Sequence, residues 1–351
     1  MTEGKRPTIK DIAQESGYSK TAVSFAFNEP SRISVKARNQ ILGVADRLGY
    51  IPDPMARNFS LHKHMSVGFL LPQDVVHSLG NPYIGDVLEG IGSVCQKHGY
   101  TLTLIPPLEG SMIQAVRNAA VDGLIALGMK VGMDIVDILN TRKMPYVTID
   151  GTPSAGMPSV NIRDMDAAYQ LMDAVLAAGH KDIAIVSLSA SAFSDGGAKE
   201  DSVPSKRIQG FEKAFSERWM DINDSRHVHQ FVSECTFPDG VDIGRKIMAE
   251  DPLPTAVVTM SDIVAIGCMS AFHEKGINVP KDMSVVGFDN DIAAKFVHPA
   301  LTTIDQPALE KGAMAAEALF RMIDGEHLGN MRMEIPFRLV KRESLATPRN
   351  T

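Results

Sequence analysis

Aspartates follow several apolar segments that have the length and composition of buried β-strands. Asp150 directly follows one such segment, Ser261 and Asp262 follow a second, and Asp289 follows a third. In parallel sheets flanked by helices, ligands bind beyond the carboxyl ends of the strands. Carboxylates gathered there suit the hydroxyl groups of a sugar or a nucleoside. A single strand-end aspartate also serves as a helix cap, so both roles stay open for each of these residues.

Near the N-terminus, a small residue, a glycine and an apolar residue have the spacing of a helix-turn-helix. Ala13, Gly17 and Val23 permit a close helix crossing, a tight turn and an apolar anchor on the second helix. That helix would present short donors and a cation, which suit base edges and phosphates. They come from Ser19, Lys20, Thr21 and Ser24. A small helical bundle with a polar surface is the alternative.

Local signals predict where these N-terminal helices begin and end. Thr8 and Asp11 fit a capping box that opens the first helix, and Gly17 supplies the left-handed residue that ends it. Ser19 and Ser34 are predicted to cap the second and third helices. Two prolines shortly after residue 50 then predict a stiff connector.

From about residue 66, apolar runs alternate with amphipathic helices. This alternation predicts a doubly wound α/β fold with parallel sheets, and 280 residues divide most naturally into two lobes. The Ser- and Gly-rich region 189–205 is interpreted as a loop, either over a site or simply mobile. The predicted strands are Val67–Leu71, Tyr100–Ile105, Gly123–Leu127, Tyr146–Ile149, Ile183–Leu188, Val228–Val232, Ala256–Thr259, Ser284–Phe288 and Leu301–Ile304.

Composition excludes several classes of protein. The chain has 351 residues, is 44% hydrophobic and 22% charged, and carries a net charge of −7, as expected of a globular protein with two or three domains. No apolar run approaches the ~20 residues of a membrane span, and the first residues lack the apolar core of a secretion signal, so we expect a cytoplasmic protein. The three cysteines form no C-x-x-C pair and are each assigned to an apolar stripe, which predicts no disulfide framework, no metal site and no cofactor.

Charge is distributed unevenly along the chain. Residues 1–64 contain ten Lys or Arg and six Asp or Glu, a balance of +4, whereas the remainder has a balance of −11. A basic segment on an acidic body is compatible with binding to nucleic acid.

Collinear motifs extend this pattern over residues 8–345. They include TIKDIA at 8–13, AVS at 22–24, LGY at 48–50, NPY at 81–83, GH at 179–180 and VVGFD at 285–289. In these motifs the chain resembles the lactose/galactose repressor (LacI/GalR) family of transcriptional regulators.

The resemblance implies a multidomain architecture. An all-α helix-turn-helix headpiece would occupy residues 1–50, a hinge 51–64, an effector-binding and dimerisation domain 65–345, and a tail 346–351. The large domain would consist of two α/β lobes like those of periplasmic binding proteins. The lobe near the DNA would comprise 65–160 and 291–325, and the far lobe 161–290 and 326–345.

By the same resemblance, Lys20 and Thr21 read the major groove. The third reading position, usually arginine, is Phe25, which cannot make a bidentate bond to guanine. Phe25 is interpreted either as a contact to a thymine methyl group or as a core residue. The remaining DNA-binding residues expected in the headpiece are Thr8, Ser19, Ser24 and Asn28.

The resemblance also implies a hinge helix that forms on DNA and inserts an apolar side chain into the minor groove. Phe59 occupies that position and Arg57 precedes it as a further expected DNA contact. A flat ring is able to enter a base step and kink the duplex. The alternative is that Phe59 packs against its own domain.

For the effector, Tyr83 matches an aromatic contact, Arg207 a clamping arginine and Asp289 its acidic partner. Asp150 and Ser261 match weaker polar contacts. A surface ion pair is the alternative role for Arg207.

The predicted function is regulation of transcription, most simply as a repressor that binds a pseudo-palindromic operator as a homodimer and responds to a sugar, a nucleoside or a related metabolite. An activator or a co-repressor-dependent regulator of the same fold is the alternative. An enzyme is disfavoured because the sequence lacks nucleophile-elbow, Walker and zinc-protease motifs. The sugar-binding protein of a transporter is also disfavoured, because it would need a signal peptide and would have no use for the N-terminal headpiece. The absence of a terminal leucine heptad favours a dimer over a tetramer.

Overall fold

The computed structural model describes residues 6–52, 58, 63–128, 134–151, 157–189 and 202–349. These form two compact units, Met1–Met65 and Ser66–Thr351. We call them the headpiece and the body. Within the described ranges, no helix is both long enough and apolar enough to span a bilayer.

The headpiece is helical, as the capping signals predicted. It contains α1 (Ile9–Ser16), α2 (Lys20–Asn28), a 3-10 turn (Pro30–Arg32) and α3 (Val35–Arg47). The Oγ atoms that cap α2 and α3 accept backbone N–H groups at 3.1 and 3.2 Å. A small core is shared by the three helices, and its fully buried members are Ile12, Val23, Ala26, Ile41, Val44 and Ala45.

The body contains two six-stranded sheets, one per lobe, which confirms the predicted α/β class. The first sheet has the order β11-β5-β4-β3-β1-β2, with all its pairs parallel. Its strands are β1 (Ser66–Leu70), β2 (Thr101–Ile105), β3 (Gly123–Leu127), β4 (Tyr146–Ile149), β5 (Ser159–Asn161) and β11 (Arg332–Glu334).

The second sheet has the order β12-β10-β9-β8-β6-β7, in which only the β10–β12 pair is antiparallel. Its strands are β6 (Ile183–Leu188), β7 (Val228–Ser233), β8 (Ala256–Thr259), β9 (Ser284–Asp289), β10 (Thr302–Asp305) and β12 (Arg338–Val340).

Helices cover both faces of each sheet. They are α4 (Val75–Leu79), α5 (Pro82–His98), α6 (Met112–Asn118), α7 (Asp134–Thr141), α8 (Asp164–Ala177), α9 (Val203–Ser216), α10 (Phe237–Ile247), α11 (Asp262–Glu274), α12 (Ala293–Phe296) and α13 (Ala308–Ile323).

Glycines bring α5 and α13 into close contact in the first lobe. A Cβ atom at Gly90 would lie 2.0 Å from the carbonyl oxygen of Leu309, and one at Gly312 would lie 2.1 Å from that of Val87. Only glycine permits the two helix backbones to approach so closely. This packing fixes the position of α13, which carries Lys311, a residue of the site described below.

The chain crosses between the lobes three times, but two of the predicted crossing points were wrong. Residues 291–305 belong to the second lobe, because Thr302–Asp305 pairs with Ser284–Asp289. Residues 326–334 belong to the first lobe, because Arg332–Glu334 pairs with Ser159–Asn161. The crossings therefore follow β5, β10 and β11. The sequence missed β5, β11 and β12 because three residues carry too little apolar periodicity to signal a strand.

Candidate functional site

A cavity of about 170 Å³ lies between the two lobes, where strands of both sheets reach their carboxyl ends. Polar side chains and apolar side chains both line it, which is typical of a site for a small molecule. All five residues predicted to contact an effector share this cavity, although they come from separate parts of the chain. They are Tyr83, Asp150, Arg207, Ser261 and Asp289.

Arg207 is buried, so its alternative assignment to a surface ion pair was wrong. The residue is 3% exposed, and its Nε donates to Asp164 Oδ1 at 2.9 Å. Its Nη1 donates to the carbonyl oxygen of Met260 at 2.8 Å, and the guanidinium lies 3.5 Å from the ring centre of Phe288. Burial opposes the charge, but Asp164 and Asp289 outweigh it and raise the pKa of Arg207. The cation is therefore held rigidly in the cavity wall.

On the first lobe, Lys311 joins two of the predicted residues. Its ammonium group is completely buried and donates to Asp150 Oδ1 at 2.6 Å and to Tyr83 Oη at 3.1 Å. The Tyr83 hydroxyl in turn donates to the other carboxylate oxygen of Asp150. Burial, together with the charge of Asp150, raises the pKa of Tyr83 well above its usual value, so the hydroxyl remains a donor.

Gln306 carries this network across to the second lobe. Its Oε1 accepts from Lys311 Nζ at 2.7 Å, while its Nε2 donates to Asp289 Oδ1. Ser261 Oγ donates to the second oxygen of Asp289 at 3.0 Å. Because it is buried, Asp289 has a pKa raised to about 7, even though Arg207 opposes this shift. An unbroken chain of hydrogen bonds thus runs from Asp150 to Ser261.

Part of the strained backbone in the body lies at the cavity wall. Three of its lining residues have positive φ angles although they are not glycine: Asp150 at 55°, Cys235 at 63° and Asp289 at 125°. Conformations of this kind cost of order 1–3 kcal/mol each and cluster at functional sites. Here they turn the carboxylates at the ends of β4 and β9 into the cavity wall.

Two expectations about this region need correction. Asp262 is fully buried outside the cavity lining, where it accepts from Thr303 Oγ1 at 2.6 Å and from the backbone of Asp291. It therefore organises loops behind the site. Cys235 does not belong to an apolar helical stripe but lies in a loop, where its Sγ accepts from Asn81 Nδ2 at 3.2 Å across the lobes. Burial raises the pKa of Cys235 to about 12, so the thiol stays protonated.

Sequence reasoning missed three polar members of the network. Gln306 follows β10 closely, so the strand-end rule that selected Asp289 could have found it. Lys311 lies on the buried face of α13 among alanines, where a lysine signals an internal partner. Asp164 gave no signal, because an acidic residue in the first turn of a helix is normally a solvent-exposed one.

In the headpiece, the predicted DNA-reading residues share the start and one side of α2. Lys20 and Thr21 are exposed, whereas Ser24 and Asn28 are half-buried, and the Asn28 amide donates to Ser24 Oγ at 3.4 Å. At the start of α1, the backbone and hydroxyl of Thr8 both donate to the Asp11 carboxylate, at 2.8 and 2.7 Å.

Phe25 is half-buried and lies outside the headpiece core, so of its two alternative interpretations the core residue was wrong. The guanidinium of Arg32 lies 5.0 Å from its ring centre. The structure thereby leaves Phe25 near the reading surface with a cation beside it. Arg57 and Phe59 lie outside the described residues.

Residues 8–53 match the model of bacterial regulatory proteins of the lacI family, and residues 172–345 match a periplasmic binding protein-like domain. The chain is 30% identical over 347 residues to the HTH-type transcriptional repressor PurR of Histophilus somni, a match that covers 97% of this chain and 99% of that protein. The chain belongs to the LacI family.

Other regulators match over nearly the whole chain. Catabolite control protein A of Priestia megaterium is 28% identical over 343 residues, covering 96% of this chain and 98% of that protein. In structure, the lac repressor dimer bound to operator and the anti-inducer ONPF is similar with a TM-score of 0.79 at 22% identity, over 97% and 100% of the two chains. A LacI-family regulator from Corynebacterium glutamicum has a TM-score of 0.67 at 28% identity, over 98% and 100%.

As a LacI-family member, the chain is a DNA-binding regulator of transcription. Its family consists of regulators rather than enzymes.

Proposed function

We propose that this protein is a repressor that binds a pseudo-palindromic operator as a homodimer and is controlled by a small molecule in the cleft between its lobes. The observation that carries the proposal is the cavity in which five separately predicted polar residues meet, in a chain that also bears a helix-turn-helix. The reducing cytoplasm, where the DNA lies, is the compartment that we propose for it.

The hydrogen-bond chain suggests how the cleft senses a ligand. Asp150 and Lys311 belong to the first lobe, Asp289 and Ser261 to the second, and Gln306 lies where the chain crosses between them. A ligand that bonds to both ends favours one relative arrangement of the lobes. An effector can control DNA binding only if it binds one arrangement of the lobes more tightly than the other.

For operator binding, we propose that Lys20 and Thr21 contact base edges in the major groove. Two headpieces in a dimer would occupy half-sites about one helical turn, roughly 34 Å, apart. The headpiece carries a surplus of only four positive charges, so neither headpiece alone neutralises many phosphates. Tight binding therefore depends on the second headpiece.

The test begins with selection of a DNA sequence from a random library by the full chain. A pseudo-palindrome is the expected product, and sedimentation should show a dimer on it. Lys20→Ala should weaken binding to this sequence by ten-fold or more, since a good base contact contributes about 1–3 kcal/mol. Lys97→Ala removes an equal charge from an exposed position in the body and is the matched control. Selection of a non-palindromic site, or a tetramer in sedimentation, contradicts the proposal.

We propose that Phe59 inserts into the minor groove and kinks the operator, a role that rests on its sequence position alone. Phe59→Ala should reduce the bend measured by fluorescence energy transfer between the operator ends, whereas Phe59→Leu should retain it. An unchanged bend in the alanine variant excludes the wedge.

A further inference from the structure

The positive charge of Arg207 is neutralised from within the protein. Its partner Asp164 is 4% exposed and 2.9 Å away, so both ions are removed from solvent. Ion pairs of this kind are stable only when each charge keeps its partner. The remaining N–H groups of Arg207 bond to neither Asp164 nor Met260 and can donate to a ligand. They do so without an unbalanced positive charge, because Asp164 neutralises the guanidinium.

The second buried cation is neutralised in the same way. Lys311 contacts Asp150 at 2.6 Å and makes its other two hydrogen bonds to neutral oxygens, on Tyr83 and Gln306. An ammonium group has three N–H donors, so these contacts use all of them. Lys311 therefore has no N–H group left to donate to a ligand, but it neutralises the charge of Asp150, whose carboxylate lines the cavity.

Asp289 is the carboxylate that remains. Its hydrogen bonds come from neutral groups, since Ser261 and the amide of Gln306 donate to its two oxygens, and Arg207 acts on it only through its charge. A carboxylate has about four acceptor sites, so roughly two remain for ligand hydroxyl groups. Because burial raises its pKa to about 7, Asp289 is partly protonated at neutral pH, and in either form it brings no positive charge that would attract an anion.

Apolar side chains complete the cavity. Leu127, Leu188, Val203 and Met260 lie on its walls beside these polar groups. An anionic group placed here would lose its hydration, meet Asp289 and find no unpaired cation among the described residues. A sugar ring or a nucleoside would instead place its C–H surface on the apolar walls and its hydroxyls on the polar groups.

We propose that the effector is an uncharged, hydroxyl-rich molecule, and that Lys311 and Asp164 exclude phosphorylated and carboxylated metabolites by neutralising the charges of the cleft from behind. This inference rests on the proposed function, because it names the class of ligand that the same cleft takes. It makes Lys311 and Asp164 determinants of specificity that act through Asp150 and Arg207.

The test separates the small molecules of the host bacterium by charge. A desalted metabolite extract is passed over anion- and cation-exchange resins, and the neutral, anionic and cationic fractions are each added to the full chain. Since a ligand that binds only the folded state raises the melting temperature, the neutral fraction alone should raise it. Stabilisation confined to the anionic or cationic fraction overturns the inference while the proposed function stands. Stabilisation by none of them contradicts both.

Matched compounds then test the cause. Ribose with ribose 5-phosphate and adenosine with adenosine 5′-monophosphate are compared by isothermal titration on wild type and on Asp164→Asn, which removes the charge that neutralises Arg207. The variant should bind the phosphorylated member of a pair at least ten-fold more tightly than wild type does. A folded variant with wild-type rejection of both phosphates refutes the charge-pairing argument. If the variant does not fold, the fractions still decide the inference on the wild-type protein.

Discussion

Replacing Lys311 with methionine should strongly destabilise the body. The lysine is completely buried, and the carboxylate it contacts at 2.6 Å is only 8% exposed. Methionine fills a similar volume but leaves Asp150 as a buried anion without a cationic partner. Tyr83 still donates to that anion, yet a neutral hydroxyl cannot compensate a full charge.

The size of the effect follows from this geometry. Removing one partner of a buried ion pair costs roughly 3–5 kcal/mol, because the other charge remains desolvated. In a unit of this size, each kcal/mol lowers the melting temperature by about 2 °C or somewhat more, so a decrease on the order of 10 °C is expected. In Lys311→Met/Asp150→Asn both charges are absent, and at least half of the lost stability should return.

Differential scanning calorimetry of wild type, both single variants and the double variant at pH 7 measures this cycle. Lys97→Met is the control, since the exposed Lys97 should change the melting temperature by 1–2 °C at most, or about 0.5 kcal/mol. A decrease below about 2 °C for Lys311→Met, or strictly additive effects of the two substitutions, would refute the buried ion pair as the organiser of the first lobe.

Three further predictions concern packing, pH and lobe contact. Gly90→Ala places a Cβ 2.0 Å from a backbone oxygen of α13 and should destabilise the body by about 1–3 kcal/mol or more, as measured by calorimetry. Gly92→Ala on the same helix is the control, because its Cβ would have no atom within 4 Å and should not destabilise the body. The folded protein keeps the Asp289 proton to about pH 7, whereas the unfolded chain loses it near pH 3.8. The stability of the wild type relative to Asp289→Asn should therefore fall as the pH rises between these values. If the melting temperatures of the two proteins differ by the same amount from pH 4 to pH 8, the prediction is wrong. Asn81→Cys places a second thiol near Cys235, because the Asn81 amide lies 3.2 Å from Cys235 Sγ. Oxidation should then form a disulfide between the lobes, which removes two titratable thiols per chain and raises the melting temperature reversibly. Retention of all four thiols would show that the lobe faces are not in contact there.

The sequence alone determined the local elements and the ends of the central strands. Capping by Ser19 and Ser34 is a contact within one turn, and alternating apolar runs report burial on both faces of a sheet, so neither needs distant information. The strand-end rule located Asp150 and Asp289 because the chain itself must leave the sheet at its carboxyl edge.

Only the tertiary structure decided which charges meet and where the lobes exchange chain. Lys311 and Asp150 are 161 residues apart, and no local pattern reports a pairing at that distance. The same holds for the edge strand Arg332–Glu334, which is specified by its partner Ser159–Asn161 and not by its own three residues. Sequence periodicity records how a residue is buried, whereas the partner of a buried charge depends on packing between elements, and that packing determines the charge of this cleft.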